Sequence, residues 1–310
     1  MTSSVQVGSL SFPAPVMTAS GTAGHAAEFA RYFPLSELGA VVVKSLASFE
    51  WAGNPAPRVH PAGPGMINAV GLQGPGVEHW LAEELPALLR TGARVVASIW
   101  GRTVEDYQRA AEQLASAPAA VVAVEVNLSC PNLEGRRGIF AHDAELSAEV
   151  MRVTEAVGRP RWAKLSPNTD RVVEVAAAVH EAGAEALTLV NTLLGMVLDP
   201  RTGRPALGAG GGGYSGRPMH AVAVRTVYDV RAALPEVPII GVGGVATGWD
   251  AAELLLAGAN AVQVGTASFL DPRASHRIQA ELLAWCAERG VTCGQLSGMA
   301  HRGGLPPSVG

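Results

Sequence analysis

The sequence contains few lysines and few cysteines. Of its 23 lysines and arginines, only Lys44 and Lys164 are lysines, and the other 21 are arginines. The three cysteines are Cys130, Cys286 and Cys293, which form no CxxC pair and show no ligand-like spacing to histidine. This usage is typical of a reducing compartment. It predicts no zinc site, no iron–sulfur cluster and no other metal site on this chain.

Other scarcities exclude further classes of protein. Charged residues make up 16% of the chain, the net charge is −4 and no basic stripe occurs, which argues against a nucleic-acid partner. No window approaches the ~20 apolar residues of a membrane span, and the N-terminal MTSSVQVGSLSF has neither a basic segment nor a long apolar one. We therefore expect a cytoplasmic protein with no membrane partner.

The chain does contain eight short apolar runs of the kind that form buried strands. Helical patterns lie between them, among others at 77–92, 103–117, 143–158, 170–183 and 248–259. Eight βα units in 310 residues predict an α/β fold, a (β/α)8 TIM barrel. A doubly wound sheet is disfavoured, because no GxGxxG follows the first strand. The predicted strands cover 16–20, 40–45, 94–100, 123–129, 161–166, 186–191, 238–244 and 261–266.

We expect a single domain over residues 1–310, since no linker rich in serine or proline divides the chain. The segment VQVGSLSFPAP predicts an N-terminal hairpin before the barrel. Two βα connections are long, at 46–76 and 192–216. The second includes GAGGGGYSG (208–216), which is compatible with a flexible insertion and with a lid or binding loop.

The ends of the predicted strands carry polar residues or glycine. In a TIM barrel these carboxyl ends form the functional site. Each residue alone is compatible with a turn, a cap or a structural ion pair. Their convergence on one rim favours a polar ligand, because desolvated amides and ammonium groups are costly without a partner. The set is Ser20, Lys44, Ser45, Ser98, Asn127, Ser129, Cys130, Lys164, Ser166, Asn191, Thr192, Gly243, Gly244, Gly265 and Thr266.

Glycines after the seventh and eighth strands predict a phosphate site. PIIGVGGVATG and AVQVGTA place backbone N–H groups without side chains there, and a helix is predicted to begin near Thr247 to Asp250. A phosphorylated ligand leaves three chemistries open. They are a Schiff-base aldolase on a strand-end lysine, a thiol nucleophile at Cys130, and a flavin mononucleotide (FMN) whose ring is bound by the asparagines and lysines.

Seven further motifs occur between about Pro15 and Pro272: GNPAPRV (53–59), NAVGLQGPG (68–76), NLSCPN (127–132), KLSPN (164–168), VNTLLG (190–195), SGRPM (215–219) and GVGGV (241–245). Together they resemble the class 1 dihydroorotate dehydrogenases, and the GLQ-x-PG form is similar to the class 1B catalytic subunit. The resemblance implies FMN as the cofactor and oxidation of (S)-dihydroorotate to orotate in pyrimidine biosynthesis. Ser98 departs from the family pattern, in which we expect an asparagine.

The resemblance also implies roles for the matching residues. Cys130 is the base that takes the C5 proton of dihydroorotate while hydride leaves C6 for the flavin. Lys44 touches both FMN and substrate, and Lys164 lies by the N1/O2 edge of the flavin. The implied FMN residues are Ser20, Lys44, Ser45, Ser98, Asn127, Lys164, Val190, Gly216, Gly243, Gly244, Gly265 and Thr266. The implied substrate residues are Lys44, Asn68, Ala69, Val70, Gly71, Leu72, Asn127, Asn191 and Thr192.

The class 1B resemblance implies partners as well. This chain has no cysteine cluster and no dinucleotide fingerprint. Delivery of electrons to NAD therefore requires an electron-transfer subunit with FAD and an iron–sulfur cluster, and a homodimeric core is also implied. Three alternatives stay open: a stand-alone enzyme with another electron acceptor, a dihydropyrimidine (uracil-type) dehydrogenase, and a Schiff-base aldolase that uses Lys164.

Overall fold

The computed structural model describes residues 3–129, 131–132 and 138–305. Eight parallel strands form one sheet with helices between them, which confirms the predicted TIM barrel. Each strand overlaps the apolar run that predicted it. Barrel strands 1 to 8 are Val16–Thr18, Val41–Val42, Val95–Ile99, Val121–Asn127, Arg161–Lys164, Ala186–Leu189, Ile239–Val242 and Ala261–Val264.

The barrel closes between strands 1 and 2. Around the sheet the strands follow the order 1-8-7-6-5-4-3-2. At the seam, the Gly39 N–H donates to the Val16 carbonyl at 2.8 Å. The Thr18 hydroxyl accepts from the Val42 N–H at 2.9 Å and donates to the Val42 carbonyl at 3.2 Å. A threonine side chain thus replaces part of the backbone ladder where the ring is completed.

Helices cover the outside of the barrel, and each of the five helical patterns contains one. The pattern at 77–92 is composite, with α-helical Val77–His79, π-helical Trp80–Glu84 and α-helical Leu85–Leu89. The remaining α-helices are Val104–Leu114, Ala144–Val153, Val172–Glu181, His220–Ala233, Gly248–Ala257, Ala267–Leu270, Ala274–Glu288 and Cys293–Leu296. Short 3₁₀ segments are Glu28–Arg31, Leu35–Glu37, Phe140–His142, Thr154–Val157, Arg217–Met219 and Met299–Arg302.

Two small hairpins accompany the barrel. Val5–Val7 pairs with Leu10–Phe12, as the N-terminal segment predicts, and Pro131–Asn132 pairs with Gly138–Ile139. The apolar core is continuous through the barrel; all five residues of Val95–Ile99, for example, are buried. In the part of the chain that the structure describes, no helix has the length and apolar character needed to cross a membrane.

The two long connections form a structure that the sequence did not predict. Val59–Ala62, Gly65–Asn68, Gly212–Ser215 and Leu193–Gly195 pair in that order as an antiparallel sheet, which we call the cap sheet. A Cβ atom on Gly212 would lie 2.4 Å from the Asn68 carbonyl oxygen. Glycine at this position therefore permits the strand Gly212–Ser215 to lie close to the strand Gly65–Asn68. The last residues of the glycine-rich stretch thus form a paired strand.

Candidate active site

A cavity of about 570 Å³ lies at the carboxyl ends of the barrel strands, and residues of the cap sheet line part of it. Both lysines, the strand-end asparagines and the glycines of strands 7 and 8 converge here. The site residues expected from the sequence that line the cavity are Ser20, Lys44, Ser45, Asn68, Ala69, Val70, Gly71, Leu72, Asn127, Lys164, Val190, Asn191, Thr192, Gly243, Gly244, Gly265 and Thr266.

Two expected site residues that the structure describes do not line this cavity. Ser98 is fully buried behind the wall, with its hydroxyl oxygen 2.9 Å from that of Ser45. Gly216 lies next to the wall, since a Cβ atom added to it would be 3.7 Å from Thr266 Cγ2. Cys130 lies outside the described residues.

A charged cluster occupies the barrel interior below the cavity. Glu125 of strand 4 is fully buried, and its Oε1 lies 3.6 Å from Lys164 Nζ of strand 5. Its Oε2 accepts from the Thr188 hydroxyl at 3.1 Å and from the Gln263 side-chain amide at 2.8 Å. Lys164 also donates to the Ser20 hydroxyl at 2.9 Å. We call Glu125, Lys164, Thr188, Gln263 and Ser20 the floor cluster; sequence reasoning missed Glu125, Thr188 and Gln263.

Lys44 reaches the cavity from the end of strand 2 in a different environment. Among the described residues, no hydrogen bond or ion pair involves its ammonium group. Burial, followed by the positive charge of Arg58, lowers the pKa of Lys44. Burial also lowers the pKa of neighbouring His25 to about 4, with the charge of Lys44 as a second cause. A negative group placed in the cavity would relieve the unpaired charge of Lys44.

Asparagine side chains form a connected row across the cavity. Asn127 donates to Ser45 Oγ at 3.3 Å, and its Oδ1 accepts from the Asn191 side chain at 3.3 Å. Asn168 donates to Ser166 Oγ and to the Thr192 carbonyl, both at 2.9 Å. Asn168 is the last residue of the motif KLSPN, and it was not among the expected site residues. Each amide presents a donor and an acceptor, which matches the edge of a ring that contains amide groups.

The loop 68–72 is held by the segment before it. Arg58 donates to the carbonyls of Asn54 at 2.6 Å and Ala52 at 2.9 Å, and to Gln73 Oε1 at 2.5 Å. The indole of Trp51 donates to the Gly71 carbonyl at 2.9 Å. These bonds fix a loop in which Leu72 has a φ of 59°, a conformation unusual for leucine. The loop backbone is therefore positioned before a ligand binds.

At the ends of strands 7 and 8, four residues form what we call the glycine cradle: Gly243, Gly244, Gly265 and Thr266. The helix Gly248–Ala257 does begin where expected, but its first amide groups are already engaged. Thr247 N–H donates to Asp250 at 2.8 Å, and Gly248 N–H donates to Glu281 at 2.7 Å. The lining instead comes from Gly243, Gly244, Gly265 and Thr266, and the short helix Ala267–Leu270 follows directly.

A (β/α)8 barrel with a polar cavity at the carboxyl ends of its strands has the architecture of a TIM-barrel enzyme, whose active site lies at those ends. The chain belongs to the dihydroorotate dehydrogenase family, because the model of that family, described as "Dihydroorotate dehydrogenase", matches residues 2–285. It is therefore a flavin-dependent oxidoreductase, and the resemblance seen in the motifs is confirmed.

Curated relatives are similar over nearly the whole chain. The "Dihydroorotate dehydrogenase B (NAD(+)), catalytic subunit" of Geobacter metallireducens is 42% identical over 290 residues, which are 93% of this chain and 94% of the relative. The protein of the same name from Desulforudis audaxviator is 45% identical and covers 97% and 98%. That from Anoxybacillus flavithermus is 43% identical and covers 92% and 91%. The term "catalytic subunit" implies a further subunit in these relatives.

Proposed function

We propose that this protein oxidises (S)-dihydroorotate to orotate in de novo pyrimidine biosynthesis, as the catalytic FMN-binding subunit of a two-subunit enzyme. The observation that carries the proposal is one cavity lined by Lys164 and Ser20 of the floor cluster, by Lys44, which has no partner among the described residues, and by the asparagine row and the glycine cradle. Family membership and the names of the relatives support the choice of substrate. A single domain, residues 1–310, contains the whole site.

FMN fits the polar groups that the cavity presents. The cradle formed by Gly243, Gly244, Gly265 and Thr266 suits a phosphate, because its three glycines carry no side chain that covers their backbone. The Ser129 hydroxyl oxygen is buried without a hydrogen-bond partner among the described residues, so a ligand can supply one. The remaining FMN residues would be Ser20, Lys44, Ser45, Asn127, Lys164, Val190 and Gly216, with Ser98 acting through Ser45.

The substrate would bind between Lys44 and the loop 68–72. An ammonium without a partner suits the carboxylate that dihydroorotate carries and dihydrouracil lacks. Asn127, Asn191 and Thr192, with the loop residues Asn68, Ala69, Val70, Gly71 and Leu72, would bind the amide edges of the pyrimidine. The fixed loop backbone favours rapid, oriented binding because little conformational entropy is lost.

Oxidation of dihydroorotate removes a hydride from C6 and a proton from C5, which leaves a C5=C6 double bond. FMN, when bound, accepts the hydride. We assign the proton to the Cys130 thiolate. An ordinary thiol has a pKa near ~8.5 and is mostly protonated at neutral pH, so flavin reduction should accelerate as the pH rises toward that value. Electrons would then leave through a partner subunit with FAD and an iron–sulfur cluster, docked on a homodimeric core.

The proposal is tested by mixing the purified yellow protein with dihydroorotate without oxygen. We expect the flavin absorption to bleach, and we expect dihydrouracil at the same concentration to bleach it far more slowly. Cys130→Ser should slow the bleaching by orders of magnitude at neutral pH, because an alcohol is a much weaker base than a thiolate. A yellow protein that dihydroorotate does not bleach, or that dihydrouracil bleaches equally fast, would overturn the substrate. A colourless protein would overturn the cofactor.

A further inference from the structure

A carboxylate lies at the centre of the barrel, where charge is expensive. The side chain of Glu125 is 0% exposed and that of Lys164 is 5% exposed. An isolated ion in such a place costs several kcal/mol, and a pair is stable only when hydrogen bonds satisfy its remaining atoms. Glu125 meets this condition at Oε2, through Thr188 and Gln263, whereas Oε1 has Lys164 Nζ at 3.6 Å and no hydrogen-bond partner among the described residues.

The barrel architecture explains how four distant residues meet. Inward side chains of alternate strands form layers in a TIM barrel. Glu125, Thr188 and Gln263 come from strands 4, 6 and 8, whereas Lys164 comes from strand 5 between two of them. A glutamate inside the apolar strand Val121–Asn127 is therefore not a surface residue, and it stands within reach of the one lysine at the cavity floor.

The charges of the floor cluster balance. Lys164 contributes one positive charge and Glu125 one negative charge, while Ser20, Thr188 and Gln263 are neutral. Among the described residues, Glu125 is the only carboxylate within 4.0 Å of Lys164 Nζ. The other lysine, Lys44, lines the cavity from the end of strand 2, and no carboxylate among the described residues pairs with it. The ammonium of Lys164 can donate three hydrogen bonds, of which Ser20 takes one.

We propose that Glu125 is a positioning residue for the flavin reaction: its carboxylate, 3.6 Å from Lys164 Nζ, holds the ammonium at the cavity floor, where it stabilises the negative charge of reduced FMN. This inference rests on the proposed function. Without Glu125, the buried ammonium of Lys164 loses the carboxylate that holds it at the floor. An ammonium displaced from the floor would stabilise the reduced cofactor less, relative to the oxidised one.

The test compares Glu125→Gln with Thr188→Val, which removes a hydrogen bond to the same carboxylate but no charge. The readout is the two-electron midpoint potential of bound FMN from pH 6 to pH 9, measured without substrate. At pH 8.5 we expect Glu125→Gln to bind reduced FMN about tenfold less tightly, relative to oxidised FMN, than wild type does. This loss corresponds to a midpoint potential ~30 mV more negative. Thr188→Val should stay close to wild type.

Two results would overturn the inference. A midpoint potential that rises in Glu125→Gln at every pH would mean that the negative charge of Glu125 merely offsets the positive charge of Lys164 at the flavin. A potential unchanged in Glu125→Gln, or shifted equally by Thr188→Val, would reduce Glu125 to a structural residue. In the double variant Glu125→Gln/Lys164→Met, the potential should match that of Lys164→Met alone, because Glu125 acts through the lysine.

The apoprotein provides a second measurement that needs no cofactor. Removing one member of a buried ion pair is strongly destabilising, whereas removing both is far less so. We therefore expect Glu125→Gln to lower the thermal midpoint more than the double variant does. Additive losses in the double variant would overturn the pairing even if Glu125→Gln cannot hold FMN. Failure of wild type to bind FMN would instead count against the proposed function, and the apoprotein comparison would still decide the ion pair.

Discussion

The two lysines of the chain reach one cavity from two different regions. Lys164 belongs to the floor, where a buried carboxylate and a serine hydroxyl already contact its ammonium. Lys44 belongs to the side wall, where no described residue pairs with its ammonium and where burial and Arg58 lower its pKa. The difference teaches that the floor lysine has a counterion in the protein before a ligand arrives, whereas the charge of the wall lysine is balanced only by a negative group on the ligand.

The two regions also differ in how they are built. The floor consists of inward side chains on barrel strands, which the closed sheet holds rigidly. The wall consists of Lys44 and the loop 68–72. Trp51 and Asn54 donate to the carbonyls of Gly71 and Ala69 in this loop, and Arg58 holds the segment 52–54 behind it through two further carbonyls. Changes on the floor should therefore act on the cofactor, and changes on the wall should act on the substrate.

The largest expected effect comes from Lys44→Met. We expect the affinity of the holoenzyme for orotate to fall about 100-fold, since a hydrogen bond between charged groups is worth about 1.5–3 kcal/mol. Isothermal titration with orotate measures this loss. Lys164→Met is the matched control and should change orotate affinity by less than about fivefold. Equal losses of orotate affinity in both variants would contradict separate roles for the wall and the floor.

Arg58→Leu should act on the wall without touching the substrate-binding atoms. It removes three hydrogen bonds, so we expect kcat/KM for dihydroorotate to fall about 30-fold, or about 2 kcal/mol. Steady-state kinetics measures the loss. Arg201→Leu is the control, because the Arg201 side chain is 87% exposed. We expect its kcat/KM to equal that of wild type within experimental error. A kcat/KM equal to that of wild type in Arg58→Leu would show that the loop 68–72 keeps its shape without the hydrogen bonds of Arg58.

The half-buried His25 near Lys44 predicts that the protein is sensitive to acid in this region. Its pKa falls from 6.5 to about 4 on folding, so the unfolded chain binds more protons between those values. Stability is therefore lost as the pH decreases from 6.5 to about 4, by about 1–2 kcal/mol after allowance for solvent screening. Urea unfolding at pH 7 and pH 4 measures this loss. His25→Gln should reduce it, whereas His79→Gln, at an exposed position, should not.

The smallest expected effect is that of Ser98→Ala. The Ser98 hydroxyl contacts Ser45 and does not line the cavity. We expect the dissociation constant of FMN to change less than about threefold, because only one buried hydrogen bond behind the wall is lost. Fluorescence titration of the apoprotein with FMN gives the value. A loss above tenfold would mean that Ser98 contacts the cofactor itself.

The sequence predicted the barrel well because its strands are buried on both faces and so appear as continuous apolar runs. It also located the lysines, asparagines and glycines at the strand ends, since a parallel barrel brings all those ends together. The cap sheet was missed because strands such as Gly212–Ser215 have neither alternation nor apolar runs. Their pairing joins segments 145 residues apart, as the Asn68–Gly213 hydrogen bond shows.

The floor cluster was missed for another reason. Glu125 is a single acidic residue in an apolar run, and the sequence does not say which partner it meets across the barrel. Thr188 and Gln263 are equally unremarkable in their strands, and only the three-dimensional layer brings them to one carboxylate. The signal that could have found the cluster is a charged residue at a strand position with apolar neighbours on both sides, where burial demands a counterion.

The central claim is that one cavity holds the flavin on its floor and the pyrimidine against its wall. Titration of the oxidised holoenzyme with orotate, followed by the visible flavin spectrum, tests it most directly. We expect saturable changes in the flavin bands in wild type, and the same changes at about 100-fold higher orotate in Lys44→Met. Orotate that binds without altering the flavin spectrum, or with equal affinity in Lys44→Met, would contradict the account.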